Sequence, residues 1–219
     1  MPYLIRLMRK EDISQVTEID HEAFSTQSPP PNYKLEMQNQ LAHYIIACDE
    51  TKTVTKLPAK IRPDKSLYGL IFKIRRWFGH NRLSVNETTL AKRQYIIGFA
   101  GIWVMADEAH ITNIAVRRSY QRRGIGELLL ISLFDLAKEL KTDIITLEVR
   151  ASNVVAQNLY FKCAFTEVGT RYAYYTDNRE DGLIMSTENI TSVSFQTQLK
   201  QLKQAHHKKW GAVNRQLPI

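Results

Sequence analysis

The stretch Gln121-Arg122-Arg123-Gly124-Ile125-Gly126 decides how this chain is read. Ahead of it, Ile111-Thr112-Asn113-Ile114-Ala115-Val116 has the character of a buried strand. Behind it, Ile125, Leu129, Leu133, Leu136 and Leu140 recur at helical spacing. A glycine-bearing turn that opens straight into a helix leaves several backbone N–H groups without intrahelical partners. Those donors and the positive end of the helix dipole make an anion site, for which a pyrophosphate is the natural ligand. Gly124 and Gly126 permit close backbone approach, and Arg122 and Arg123 add charge. The same spacing also serves as a plain tight connection, so the turn alone leaves both readings open. It is neither a dinucleotide fingerprint, because Leu129 stands where the third glycine would fall, nor a Walker loop, because no Gly-Lys-Ser/Thr follows.

Outward from the turn, the segments alternate between strand and helix patterns. Met1–Leu7 reads as a first strand without the apolar region of a signal peptide. Glu11–Phe24 reads as a helix, with Asp12 as its cap. Tyr33–Leu41 is expected as a short helix, and His43–Cys48 as an apolar strand. Tyr95–Met105 and His110–Val116 form a hairpin-like pair across Ala106-Asp107-Glu108. After the helix from Gly124 to Leu140, Asp143–Arg150 alternates cleanly: Ile145, Leu147 and Val149 face one way, Ile144, Thr146, Glu148 and Arg150 the other. Ser152 or Asn153 caps a helix to about Cys163, and Phe165–Tyr175 with Asp181–Ser186 closes the pattern as two strands. The expected fold is α+β, three layers around one mixed sheet.

Residues 1–187 are expected to form one domain, interrupted by a basic insertion at about 49–94, with 188–219 as a basic, partly helical extension. The formal net charge of +8 favours an acidic ligand, nucleic acid or an anionic surface. Lys and Arg concentrate at 52–93, at 117–123 and at 200–215. In the insertion, Leu67, Leu70, Ile71, Ile74, Trp77 and Phe78 form an apolar stripe beside Lys73, Arg75, Arg76 and Arg82. Such a helix lies on an anionic membrane or on RNA, or packs its stripe on its own domain. Two cysteines without metal or redox spacing fit a reduced, cytoplasmic setting. The adjacent His206 and His207 do not face one metal site, and no metal is expected.

Two side chains near the turn suit proton transfer: Glu148 in mid-strand, and Tyr160, two helical turns after Asn153. Each by itself reads as well as a paired surface carboxylate or a packed aromatic. Together with the order strand, glycine turn, helix, strand with Glu, capped helix with Tyr, they resemble the GNAT acetyltransferase superfamily. Within it the chain is similar to the RimI type, the ribosomal-protein-alanine N-acetyltransferases. Three stretches carry the likeness: Asn113–Val116 with Tyr120–Gly126, Leu147–Asn153 with Ala156, Leu159 and Tyr160, and Tyr174-Tyr175 with Arg179-Glu180-Asp181 and Ile184-Met185.

The resemblance implies that acetyl-CoA is the cosubstrate and that a protein N-terminus, the alanine of a small-subunit ribosomal protein, is the acceptor. It places the general base at Glu148, the general acid at Tyr160 and an acetyl-CoA contact at Asn153. The backbone of Ile114, Ala115 and Val116 would hold the thioester and pantetheine between two splayed strands. Arg122, Arg123, Gly124, Ile125, Gly126 and Glu127 would cradle the phosphates, and Phe24, Tyr174 and Tyr175 would border the peptide. The chain departs from the pattern at Arg118, where Pro is common, and at Ala164, where Gly is usual. It departs again at Ser25-Thr26-Gln27-Ser28, in place of a Pro-Trp element, and through the insertion. Broader N-terminal specificity, a small-amine acceptor and a non-catalytic RNA-binding role are the other readings.

Overall fold

Alternation in the first strand, β1 (Tyr3–Leu7), already separates two cores: Ile5 packs into one apolar cluster and Leu4 into the other. The same division recurs in β2 (Ala42–Thr55), where Ile45 and Ala47 face one way and Ile46 and Cys48 the other. A strand buried on both faces needs a layer of helices on each. The computed structural model, which describes residues 2–24, 31–55 and 92–217, supplies both layers. Among the described residues the strands form one eight-stranded sheet in the order β6-β7-β5-β4-β3-β2-β1-β8. The remaining strands are β3 (Lys92–Met105), β4 (Glu108–Val116), β5 (Ile144–Arg150), β6 (Phe165–Tyr175), β7 (Glu180–Thr187) and β8 (Asn214–Gln216).

On one face, α1 (Ile13–Ala23) and the short α2 (Tyr33–Glu36) cover the cluster built on Val16, Ile19, Tyr33 and Phe99. On the other face lies α3 (Ile125–Glu139), nearly all of whose length is buried, with α4 (Val154–Lys162) and α5 (Val193–Trp210). This is the three-layer mixed arrangement expected from the pattern. The helix read over Tyr33–Leu41 ends at Glu36, and β2 runs on past Cys48 to Thr55.

Asp12 does not cap α1 with its side chain. Its carboxylate pairs with the buried Arg6 guanidinium (2.7 and 3.0 Å) and accepts the Arg9 N–H (2.7 Å). A buried cation requires a counter-charge more than a helix end requires a cap. Asn153 caps α4, its Oδ1 accepting the Ala156 N–H at 3.1 Å. Just after α4, Ala164 adopts φ 66°, a left-handed conformation that costs a non-glycine residue roughly 1–2 kcal/mol.

The chain divides into two compact units, Met1–Thr51 with Tyr95–Ile219, and Lys52–Gln94. The amphipathic stripe at 67–82 and the loop Ser25–Ser28 lie outside the described residues. The stretch after residue 187 is built into the first unit. Ile190, Phe195 and Leu199 are buried in the α3 cluster, with the Phe195 ring edge-on to Phe134. Lys203 and Arg215 both pair with Asp135 on α3, and β8 extends the sheet by parallel pairing with β1. No helix among the described residues is long and apolar enough to cross a membrane.

Candidate active site

The two central parallel strands part company halfway along. β4 and β5 pair from Glu108↔Ile144 to Ile111↔Leu147, and the ladder stops there. Beyond that point β4 stays bonded to β3 as far as Val116, and β5 stays bonded to β7 as far as Arg150. The sheet is therefore forked, with Ile114, Ala115 and Val116 on one arm and Glu148 at the root of the other. Backbone groups facing such an opening have no strand partner and are free to bind an extended ligand.

At the open end of the β4 arm, the glycine turn leads into α3. Gly124 sits at the helix N-cap with φ 75°, and Arg122 before it has φ 58°. Glycine is required at 124 twice over. Its φ is left-handed, and a Cβ there would lie 2.5 Å from Nε1 of Trp210. A Cβ on Gly126 would press on Leu159 at 3.2 Å, so this glycine sets the approach of α4 to α3. Arg122 and Arg123 are exposed, the latter over the Tyr120 ring at 5.0 Å. Glu127 differs from the others: its carboxylate turns inward to Lys162 (2.7 Å), so only its backbone N–H is offered at the turn. Arg118, in the position where the resemblance places Pro, donates its backbone N–H to Glu22 Oε1 (2.6 Å), a bond proline cannot make.

Glu148 is the best-partnered acid of the fork. Its side chain is 9% exposed, with Oε2 3.0 Å from His110 Nε2 and Oε1 3.1 Å from Arg171 Nε. The hydrogen bond from His110 holds the carboxyl below the usual carboxylate range, against the opposing push of burial. Behind His110 the contacts continue: its Nδ1 meets Thr146 Oγ1 at 2.8 Å, and that hydroxyl donates to Glu108 Oε1. Glu108 and His110 on β4 thus alternate with Thr146 and Glu148 on β5, forming one polar ladder on the face opposite Ile145, Leu147 and Val149.

Tyr160 comes from the other side. It is 6% exposed, belongs to the α3 cluster and packs edge-on against Phe165. Burial pushes its phenol well above the ordinary value, so it keeps its proton. Glu148 and Tyr160 therefore lie on opposite faces of the sheet, with the fork between them.

Tyr174 and Tyr175 stand edge to face on β6, at the end of the register shift between Arg171 and Tyr175. Arg150 lies over the Tyr175 ring at 3.9 Å while binding Asp177 and Glu180, and Arg171 lies over Tyr174 at 5.5 Å. Glu180 in turn accepts the Ser152 N–H at 2.7 Å. Phe24, at the end of α1, packs half-buried against the α1-side cluster that also holds Ala115.

Sequence reasoning did not single out His110, Arg171 or Trp210, and weighed His206 only as a metal ligand. His206 and Trp210 reach the turn from α5: His206 Nε2 meets the Gly124 carbonyl at 3.0 Å, and Trp210 covers the glycine. For His110 a signal was present, since strand alternation sets it on the same face as Thr112, beside Thr146 and Glu148 once β4 and β5 are taken as neighbours.

The family model for acetyltransferases (GNAT) matches residues 61–165. A Bacillus subtilis (strain 168) protein, provisionally assigned as a ribosomal protein bS18-alanine N-acetyltransferase, is 32% identical over 182 residues, 83% of this chain and 92% of its own length. The ribosomal protein bS18-alanine N-acetyltransferase of Escherichia coli (strain K12) is 42% identical over 99 residues, 44% of this chain and 67% of its own. Among solved structures, the ribosomal-protein-S18-alanine N-acetyltransferase from Escherichia coli matches with a TM-score of 0.58 at 25% identity, covering 85% of this chain and 94% of that one. Ard1 from Thermoplasma volcanium matches at 0.60 and 17% identity, covering 86% and 99%, a likeness of fold alone.

Proposed function

Since this chain belongs to the GNAT acetyltransferase family, we propose that it moves the acetyl group of acetyl-CoA to the N-terminal α-amine of a protein. The acceptor in this reading is the alanine N-terminus of a small-subunit ribosomal protein, the substrate class named for its relatives. The observation that carries the reaction is the fork, with a carboxylate on one face and a protonated phenol on the other.

In this reading the thioester lies in the opening between β4 and β5, along the backbone of Ile114, Ala115 and Val116. A backbone N–H of that arm stabilises the oxyanion formed on attack. The N–H groups from Arg122 to Glu127, with the charges of Arg122 and Arg123, take the phosphates. Asn153, besides capping α4, faces the cosubstrate. A free α-amine has a pKa of about 7.7–8.0, so much of it is protonated at neutral pH. Glu148 removes that proton on its own face. Tyr160 then protonates the departing thiolate on the other, and Phe24, Tyr174 and Tyr175 border the peptide. The basic stretches at 52–93 and 200–215 favour approach to an RNA-rich or otherwise anionic surface.

The test is incubation with acetyl-CoA and a peptide bearing a free N-terminal alanine, with the added acetyl located by mass spectrometry. Acetyl confined to the α-amine supports the assignment; acetyl on lysine, or none, counts against it. Tyr160→Phe should lower kcat by roughly 10²-fold without raising KM for acetyl-CoA, and a normal rate would leave Tyr160 as packing. Gly124→Ala should raise the Kd for acetyl-CoA about tenfold or more, because its Cβ would push against Trp210 and displace the turn. Titration calorimetry reads it directly.

A further inference from the structure

A lone carboxylate is a poor sink for the proton of an α-ammonium: reference values of about 4.3 and about 7.7–8.0 lie more than three units apart. When His110 Nε2 carries a hydrogen, its bond to Oε2 lowers the Glu148 carboxyl further. The ladder behind Glu148 changes what the site can hold. The Thr146 hydroxyl donates its single hydrogen to Glu108, so towards His110 Nδ1 it can only accept. Nδ1 therefore carries a hydrogen, and in the neutral ring Nε2 is left with a lone pair aimed at Glu148 Oε2, 3.0 Å away. A carboxylate and a lone pair cannot rest face to face at that distance without a proton between them. That proton belongs to the pair and not to either residue alone.

We propose that His110 and Glu148 act as one shared proton acceptor, with Thr146 and Glu108 fixing the His110 tautomer. The proposal rests on Glu148 being the base. The steps balance without any redox change. Once the pair has lost its resting proton to water, the α-ammonium gives one proton to Glu148 and becomes the free amine; the Glu148 O–H then breaks as N–H forms at His110 Nε2. The resulting imidazolium keeps Nδ1–H on Thr146 and releases the extra proton to water, which its 24% exposed side chain can reach. That is the one net proton the overall reaction liberates. The groups facing the pair are Glu108 on its own strand, Thr146 on β5, and Arg171, Tyr174 and Tyr175 on β6, which bear on the Glu148 charge. Arg171, bonded to the other carboxylate oxygen, balances the anion while the proton is passed on. Trp103, opposite His110 on β3, does not titrate.

The experiment is the pH dependence of kcat for the full chain with acetyl-CoA and an alanine peptide. It compares the wild type with His110→Gln, Thr146→Val and Glu148→Gln, and follows thermal unfolding and acetyl-CoA affinity for each. At low pH the pair is full and kcat falls, so the wild type has an acidic limb set by the pair. His110→Gln is expected to lower kcat by about 10²-fold, to displace that limb to lower pH, and to leave acetyl-CoA affinity unchanged. Thr146→Val keeps the size of the side chain but frees the tautomer; it should move the limb the same way with a smaller fall. A fall in kcat with the limb unmoved in both variants assigns His110 to packing and overturns the proposal. So does wild-type behaviour of His110→Gln alongside an inactive Glu148→Gln. An active Glu148→Gln instead removes the base assignment itself, a separate failure.

Discussion

Glu148→Gln is expected to lower kcat by about 10²–10⁴-fold, the range of positioned acid–base catalysis, while leaving acetyl-CoA affinity unchanged. The substitution is nearly isosteric and keeps an oxygen for His110 or Arg171, so the fork should not collapse. What it removes is the negative charge and the capacity to take a proton. The cosubstrate contacts proposed for the β4 arm and the glycine turn come from other elements, which is why KM for acetyl-CoA should hold. Steady-state kinetics with the alanine peptide, beside calorimetric binding of acetyl-CoA, separates the two. Unchanged turnover would remove Glu148 from the chemistry, and lost binding with lost turnover would make it a structural anchor.

Phe195→Ala should destabilise the folded chain by about 3–5 kcal/mol, the usual cost of emptying a buried aromatic site. Phe195 is 1% exposed and meets Phe134, which also touches Phe165, so its removal leaves a cavity between α3, α5 and β6. A chain cut after Thr187 would lose Ile190, Phe195, Leu199 and the strand β8 together, uncovering one face of α3. Native unfolding monitored in denaturant checks both. A Phe195→Ala midpoint equal to the wild type, or a cooperative transition in the truncated chain, would show that the stretch after 187 is an accessory. The same helix ends on the glycine turn through His206 and Trp210, so loss of stability there should be accompanied by weaker acetyl-CoA binding.

Much of this molecule was legible without coordinates because its signals are local. The alternation of Ile145, Leu147 and Val149 against Thr146 and Glu148 gave the two faces of β5, and the structure keeps them. Gly124 and Gly126, read as a turn opening a helix, occupy that place, with the left-handed φ at Gly124. Ala164, which stands where the resemblance expects glycine, has the positive φ that favours glycine. Asp12 shows the limit: a capping pattern matched it, but a buried Arg6 claimed the carboxylate.

Spacing along the chain by itself determined the order of elements and the glycine turn, since each depends on residues within a few positions of one another; the acid and the phenol were proposed only through the family resemblance. Tertiary structure alone decided that β4 and β5 part after Ile111 and Leu147, that Glu148 meets His110 and Arg171, and that α5 closes over Gly124. Those contacts join residues tens of positions apart, His110 to Thr146 by 36 and Gly124 to His206 by 82. No periodicity encodes a pairing of that kind; it exists only once burying the two faces of the sheet has brought the strands and helices together.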